Sequence, residues 1–163
     1  MFNISKNIFL VNLFFTVSIF IFDRLTKIYV VNLSAKNYSN ELFSSKYLDI
    51  NLIWNEGIAF GLFSFDDKYF YNILTFLIGI VIIIIIFMIR KSKNLKRFSL
   101  IMILGGALGN FYDRVFYNAV PDFIDFHIGN YHWFIFNVSD IFITLGVIFM
   151  IILEFIDNNK HAK

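Results

Sequence analysis

An all-α integral membrane protein, with four transmembrane helices and a small β-sheet element in its first outer loop, is the fold this sequence predicts. Three observations carry that prediction. Of 163 residues, 58% are hydrophobic and 16% charged, whereas a soluble domain runs about 45–50% apolar and about 25% charged. Four separate stretches reach the ~20 mostly apolar residues that a spanning helix needs. Lys and Arg gather beside particular ends of those stretches. The same composition excludes disorder, which requires low hydrophobicity and high net charge. With no Cys, disulfides, thiolate metal sites and a Cys nucleophile are excluded. A net charge of +2 gives no indication of nucleic-acid binding, and no nucleic acid is expected.

The spans cover approximately residues 8–31, 69–89, 98–115 and 138–156 of a single membrane domain. Span one, Ile8 to about Val31, is interrupted by Asp23, Arg24 and Lys27. No small-x-small cleavage site follows it, so it is expected to stay as a span and not to act as a cleaved leader. In the connection 32–68, Tyr47 to Leu52 alternates polar and apolar residues and reads as a strand. Asn55-Glu56-Gly57 reads as a turn and Phe60-Gly61-Leu62-Phe63 as a second extended piece. Span two ends in a nearly unbroken Ile/Val run, Ile80–Ile86, and is apolar all round, so lipid contact is expected. Span three carries Gly105, Gly106 and Gly109, residue types that let helices approach closely. Arg90, Lys91, Lys93, Lys96 and Arg97 crowd the connection 90–97, and Lys160 and Lys163 follow span four. Cytoplasmic loops carry such excess. Both ends of the chain should therefore be cytoplasmic, with outer loops 32–68 and 116–137.

Helical arithmetic then places the polar residues in one layer. Asp23 lies 15 residues outward from Ile8, Asp113 15 residues outward from Phe98, and Asp140 15 residues before Phe155. At 1.5 Å per residue each sits ~22 Å from the inner side. Asn110, Arg114, Asn137 and Asp122 fall near that level. A charge at the bilayer centre costs ~2.5–3.5 kcal/mol, so such residues are expected to face one another inside the bundle and to mark a site.

Several of these groups also have purely structural readings. Asp113 and Arg114 fit a structural pair or headgroup contacts. Asp23 fits a packing anchor with Lys27, one turn away, and Asn137 an N-cap for span four. His127 and His132 fit among interfacial aromatics. They show no metal-ligand pattern such as H-E-x-x-H, and no metal is expected. Asp125 fits a water-facing position on the outer loop. Asp122 and Asp140 differ: both stand where apolar chain re-enters the membrane, without an adjacent Lys. Two carboxyls in contact cannot both ionise easily. A shared proton would let one activate water while the other protonates a leaving amine.

These residues fall in blocks that resemble lipoprotein signal peptidase (signal peptidase II), a family of bacterial membrane aspartic peptidases. Asp23-Arg24-Leu25-Thr26-Lys27 is similar to its D-x-x-T-K block, and Asn55 to Gly61 to its N-x-G-x-A-F-G block. Gly105 to Asn110, through Asp113-Arg114 to Val120-Pro121-Asp122-Phe123-Ile124-Asp125, resembles G-G-A-x-G-N…D-R…V-V-D-F-I-D. Phe136 to Asp140 resembles F-N-x-A-D. Four blocks in the family's order cover essentially the whole chain. Pro121 replaces the usual Val and Ser139 the usual Ala. Pro121 removes a backbone donor and fixes φ before Asp122, and the Ser139 hydroxyl would reach a neighbouring carboxylate.

The resemblance implies that Asp122 and Asp140 are catalytic. It implies that Asn55, Gly57, Asn110, Arg114 and Asn137 line the substrate site, supported by Asp23 and Lys27. Its substrates are prolipoproteins carrying a diacylglyceryl-modified cysteine, cleaved just before that cysteine, within the cytoplasmic membrane of a bacterium and near its outer face. It implies membrane lipid as a partner, inhibition by the lipopeptide globomycin, a monomer, and no cofactor. The rival reading is a proton-coupled transporter or channel subunit. Against it, the polar residues form one layer near the outer face and not a path across, and span two offers nothing polar below Thr75.

Overall fold

A computed structural model describes residues 6–57 and 68–161. Four long helices follow the apolar stretches: α1 Lys6–Asn37, α2 Lys68–Lys91, α3 Asn94–Tyr117 and α4 Val138–His161. Strands β1 Glu41–Ser44 and β2 Leu48–Asn55 lie between α1 and α2, and β3 Val120–Ile128 and β4 Tyr131–Phe136 between α3 and α4. Three helices among the described residues are long and apolar enough to cross a membrane: Lys6–Asn37, Tyr71–Lys91 and Val138–Asp157. The helix α3 matches α2 and α4 in length, 24 residues, but carries Asn110, Asp113 and Arg114 on its inward side.

The helix α3 is the centre of the bundle, packed against α1, α2 and α4. Its glycines make that possible. A Cβ at Gly105 would stand 2.7 Å from the Ile19 Cβ of α1, and one at Gly106 2.5 Å from the Ser139 carbonyl of α4. Small residues let backbones close in where lipid supplies no hydrophobic drive between helices. Toward the α2–α3 connection, Ile82, Ile85 and Ile89 pack on Leu100, Ile101 and Leu104. The opposite side of α2 exposes Phe76, Leu77, Ile80, Ile83, Ile84 and Phe87, as its apolar sequence predicts.

The sheet is larger than the sequence predicts. A small element was expected within the first outer loop. The structure has a four-stranded antiparallel sheet in the order β1-β2-β3-β4, half of it from the second connection. The predicted strand at 47–52 is β2, displaced and lengthened to Asn55. The predicted piece at 60–63 lies outside the described residues. Strands β3 and β4 form a hairpin through Gly129-Asn130, where Gly129 takes φ 58, a left-handed conformation suited to glycine. Residues 32–37, expected to start the outer loop, instead continue α1. That helix ends at Tyr38 with φ 51, and the Ser34 hydroxyl meets the Asn40 side chain at 2.9 Å. A second core cluster, Val30, Leu52, Phe123 and Val138, ties α1, the sheet and α4 together.

Candidate active site

Beneath the sheet lies a cluster of four charges. Asp23 and Asp113 are fully buried, and Arg24 and Lys27 nearly so. The Lys27 ammonium uses three partners: Asp23 at 3.0 Å, Asp113 at 2.7 Å and the Asn110 amide oxygen at 2.8 Å. Arg24 donates to Asp113 at 2.7 Å and to Asp23 at 3.1 Å, with its guanidinium over the Tyr112 ring. Buried charges persist only when paired and hydrogen-bonded, and here two cations meet two anions. Asp23 also accepts the Ser139 backbone N–H at 3.0 Å, at the N-terminus of α4. A carboxylate is favoured there by the helix dipole and by otherwise unmatched N–H groups. The backbones come this close because position 109 is glycine; a Cβ there would collide with the Asp23 carboxylate and the Ser139 hydroxyl.

From Asn110 a closed ring of hydrogen bonds runs around a cavity. The Asn110 amide donates to Asp140 at 2.8 Å. Asp140 accepts the Asn137 backbone N–H at 3.1 Å, while the Asn137 side-chain oxygen accepts the Asp140 N–H at 3.2 Å. This reciprocal pair is a capping box, which fixes where α4 starts. The Asn137 amide donates to Asp122 at 2.6 Å, and Asn55 donates to the other Asp122 oxygen at 2.9 Å. The Asn55 oxygen accepts the Gly57 N–H at 2.9 Å, the turn predicted from Asn55-Glu56-Gly57. Arg114 closes the ring, donating to the Gly57 carbonyl and to the Asn110 carbonyl, both at 3.2 Å.

Three asparagines thus point their NH2 groups at carboxylates, and their orientation is forced. Each amide oxygen faces a group that can only donate: the Lys27 ammonium, the Asp140 N–H or the Gly57 N–H. Asp122 and Asp140 border one cavity of about 340 Å³, together with Asn55, Asn110 and Arg114. Asp122 is 5% exposed. Burial pushes its carboxyl up to about 6, and the charge of Asp140 adds to the rise, against the lowering pull of Asn55 and Asn137. A second, more apolar cavity of about 680 Å³ adjoins Asp140 between α4 and the β3–β4 hairpin, lined by Trp133, Phe136, Ile141 and Leu145.

The structure brings together every residue that the sequence singled out for the site: Asp122, Asp140, Asn55, Gly57, Asn110, Arg114 and Asn137, with Asp23 and Lys27 behind them. The capping role of Asn137 and its contact with Asp122 coexist. Three expectations change. Asp113 does not pair with Arg114; adjacent helix positions point about 100° apart, and Asp113 turns to Arg24 and Lys27. Asp125 does not face water: it is 4% exposed and bonded to His132 at 2.9 Å. The Ser139 hydroxyl is buried without a hydrogen-bond partner among the described residues; it is the Ser139 backbone that meets a carboxylate. Pro121 sits fully buried in β3 opposite Trp54, and the strand runs through it. Arg24 and the Ser139 N–H were missed. The signal for Arg24 was its place one residue after Asp23, on a span where an unpaired cation would be costly.

Comparison with known proteins converges on one family. A family model described as Signal peptidase (SPase) II matches residues 15–156. The chain is 51% identical over 158 residues to a protein of Pelagibacter ubique named lipoprotein signal peptidase, covering 97% of this chain and 95% of that one. A protein of the same name from Francisella tularensis is 39% identical over 142 residues, covering 85% and 87%. A solved structure described as a bacterial membrane enzyme superposes with a TM-score of 0.76 at 31% identity, over 92% of this chain and 90% of that one.

Proposed function

The chain belongs to the signal peptidase II family, an aspartic-type peptidase that removes signal peptides from prolipoproteins, and on that premise we propose that Asp122 and Asp140 are its catalytic pair. The observation that carries this reading is that both carboxyls border one cavity and are joined through a single residue, Asn137. Water held between them loses a proton to the ionised carboxylate as its oxygen attacks the scissile carbonyl carbon. The protonated partner gives its proton to the carbonyl oxygen. As the tetrahedral centre collapses and the C–N bond breaks, the proton taken from water passes to the leaving amine, and one hydroxyl of the centre returns its proton to the other carboxylate as the new C=O forms. The raised affinity of Asp122 for its proton supports one shared proton near neutral pH.

Asn55, Asn110 and Asn137 hold the two carboxyls in place, each through an amide locked by its own acceptor bond. Arg114, whose Nε has no hydrogen-bond partner among the described residues, would bind a substrate carbonyl or a lipid oxygen. Asp23 and Lys27 brace the frame. The substrate is a precursor with a diacylglyceryl-modified cysteine, cut just before that residue. The chemistry of this donor set calls for no metal or organic cofactor, and globomycin-type lipopeptides would compete for the cavity.

The helix α3 is the fourth span in this reading. The cations at 90–97 and after α4 put both ends of the chain in the cytoplasm and the sheet on the outer face of the cytoplasmic membrane. The protein acts as a monomer. A transporter is disfavoured by the apolar packing of α2 on α3 toward the cytoplasmic side, which offers no polar route from the ring. A gel-shift cleavage assay on a lipidated precursor, with and without globomycin, tests the assignment. Loss of cleavage in Asp122→Asn and in Asp140→Asn is the expected result, and full activity in either removes the pair. Moving the five cations of the 90–97 connection to an outer loop tests topology; unchanged insertion would defeat the orientation.

A further inference from the structure

We propose that Asp125, His127 and His132, joined by Asp49, form a binding site for a divalent transition-metal ion on the outer sheet, separate from the Asp122–Asp140 cavity. The strand register builds it. Asp125 and His127 are two residues apart on β3 and so leave the same face, whereas Asp122 leaves the other. Asp49 of β2 lies directly opposite Asp125, and His132 of β4 directly opposite His127. Four side chains from three strands therefore converge on one patch.

The donor atoms lie near one another. One ligand atom each from Asp125, His127 and His132 lies within 4.8 Å of the others. The His132 Nδ1 stands 2.9 Å from Asp125, and the His127 Nδ1 3.6 Å from Asp49, too far for a hydrogen bond. The two imidazoles stack with centroids 4.9 Å apart. A tetrahedral ion with ligands at about 2.1 Å needs donor atoms roughly 3.4 Å apart, so binding requires these side chains to turn inward from their present spacing.

Two buried atoms point independently to a ligand. Asp125 is 4% exposed, yet among the described residues its Oδ1 has no hydrogen-bond partner, and neither has the His127 Nδ1. A buried acceptor left unmet costs about 1–3 kcal/mol, and a cation would satisfy both atoms at once. Two carboxylates balance a dication's charge, and mixed imidazole–carboxylate sets suit Zn2+, Ni2+ or Cu2+. The ion would clasp β2, β3 and β4 three residues from Asp122 on β3.

Zn2+ is the probe. The full chain, carrying an affinity tag without histidine, is purified in detergent, stripped with a chelator, and titrated by calorimetry with metal content measured in parallel. We expect one Zn2+ per chain and a higher thermal midpoint on binding. Affinity should fall at least about tenfold in His127→Ala with His132→Ala. If that double variant fails to fold, Asp49→Asn and Asp125→Asn supply the same comparison. Stoichiometry well below one overturns the site. So does equal binding by the folded variants, which would put the ion elsewhere, such as at His161.

Discussion

Asp23 on the first helix caps the last one, its carboxylate receiving the Ser139 N–H across 116 residues of sequence. The same carboxylate holds Lys27, and Lys27 orients Asn110 toward Asp140. Removing it leaves two buried cations facing one anion. Asp23→Ala should therefore destabilise by about 3–5 kcal/mol, read as a fall in thermal midpoint and in yield from membranes. A variant of native stability that has lost activity would instead give Asp23 a direct part in the reaction.

Asn137 serves helix and site together. Asn137→Ala should cost about 1–2 kcal/mol from the lost cap. It also strips the ionised form of Asp122 of a donor, so the Asp122 carboxyl should hold its proton to higher pH. The alkaline limb of the pH–kcat/KM profile should move upward. A variant with lower stability and an unshifted profile would restrict Asn137 to capping.

Asp122 itself should lower stability at neutral pH. Its folded-state carboxyl sits at about 6 against 3.8 for the free group, so the folded chain binds the proton more tightly. Stability is then greatest below pH 3.8 and declines as pH rises through 6, by about 3 kcal/mol in all. Asp122→Asn lacks this decline. Its amide meets a donor from Asn55 or Asn137, a cost that does not change with pH. The difference in midpoint between variant and native protein should therefore move in the variant's favour from pH 4 to pH 8. A constant difference would refute the raised carboxyl.

The glycines separate close packing from mere helix propensity. Gly109→Ala drives a methyl into Asp23 and Ser139 and should destabilise by about 1–3 kcal/mol with loss of activity. Gly79→Ala meets only ordinary contact with Phe111, at 3.5 Å. It should stabilise by about 0.5–1 kcal/mol. Thermal melts of both variants check the contrast, and equal effects would contradict it.

The helices were legible because lipid demands long apolar runs, and a run of ~20 such residues has few alternatives. The polar layer was legible for the complementary reason: charge at that depth is costly unless shared. The sheet was half hidden. Tyr131 to Phe136 is aromatic at every position but Ile135 and shows no clear alternation, and its partner strand contains Pro121, which argues against a central strand. The overlooked signal was Gly129-Asn130 between two apolar aromatic stretches, a two-residue hairpin turn. The convergence of Asp125, His127 and His132 depends on that hairpin's register, so it was not visible from spacing alone. Arg24 escaped notice because sequence cannot say which face of α1 meets Asp113.

The ring joins residues from the start, middle and end of the chain: Lys27 behind Asn110, and Asn137 with Asp140 at the head of the final helix. A nascent polypeptide still attached to its ribosome, with α4 not yet made, has Asp122 but neither Asp140 nor the Asn137 amide that meets Asp122. On the proposed pairing of Asp122 with Asp140, activity then waits until α4 has been made and seated against α3.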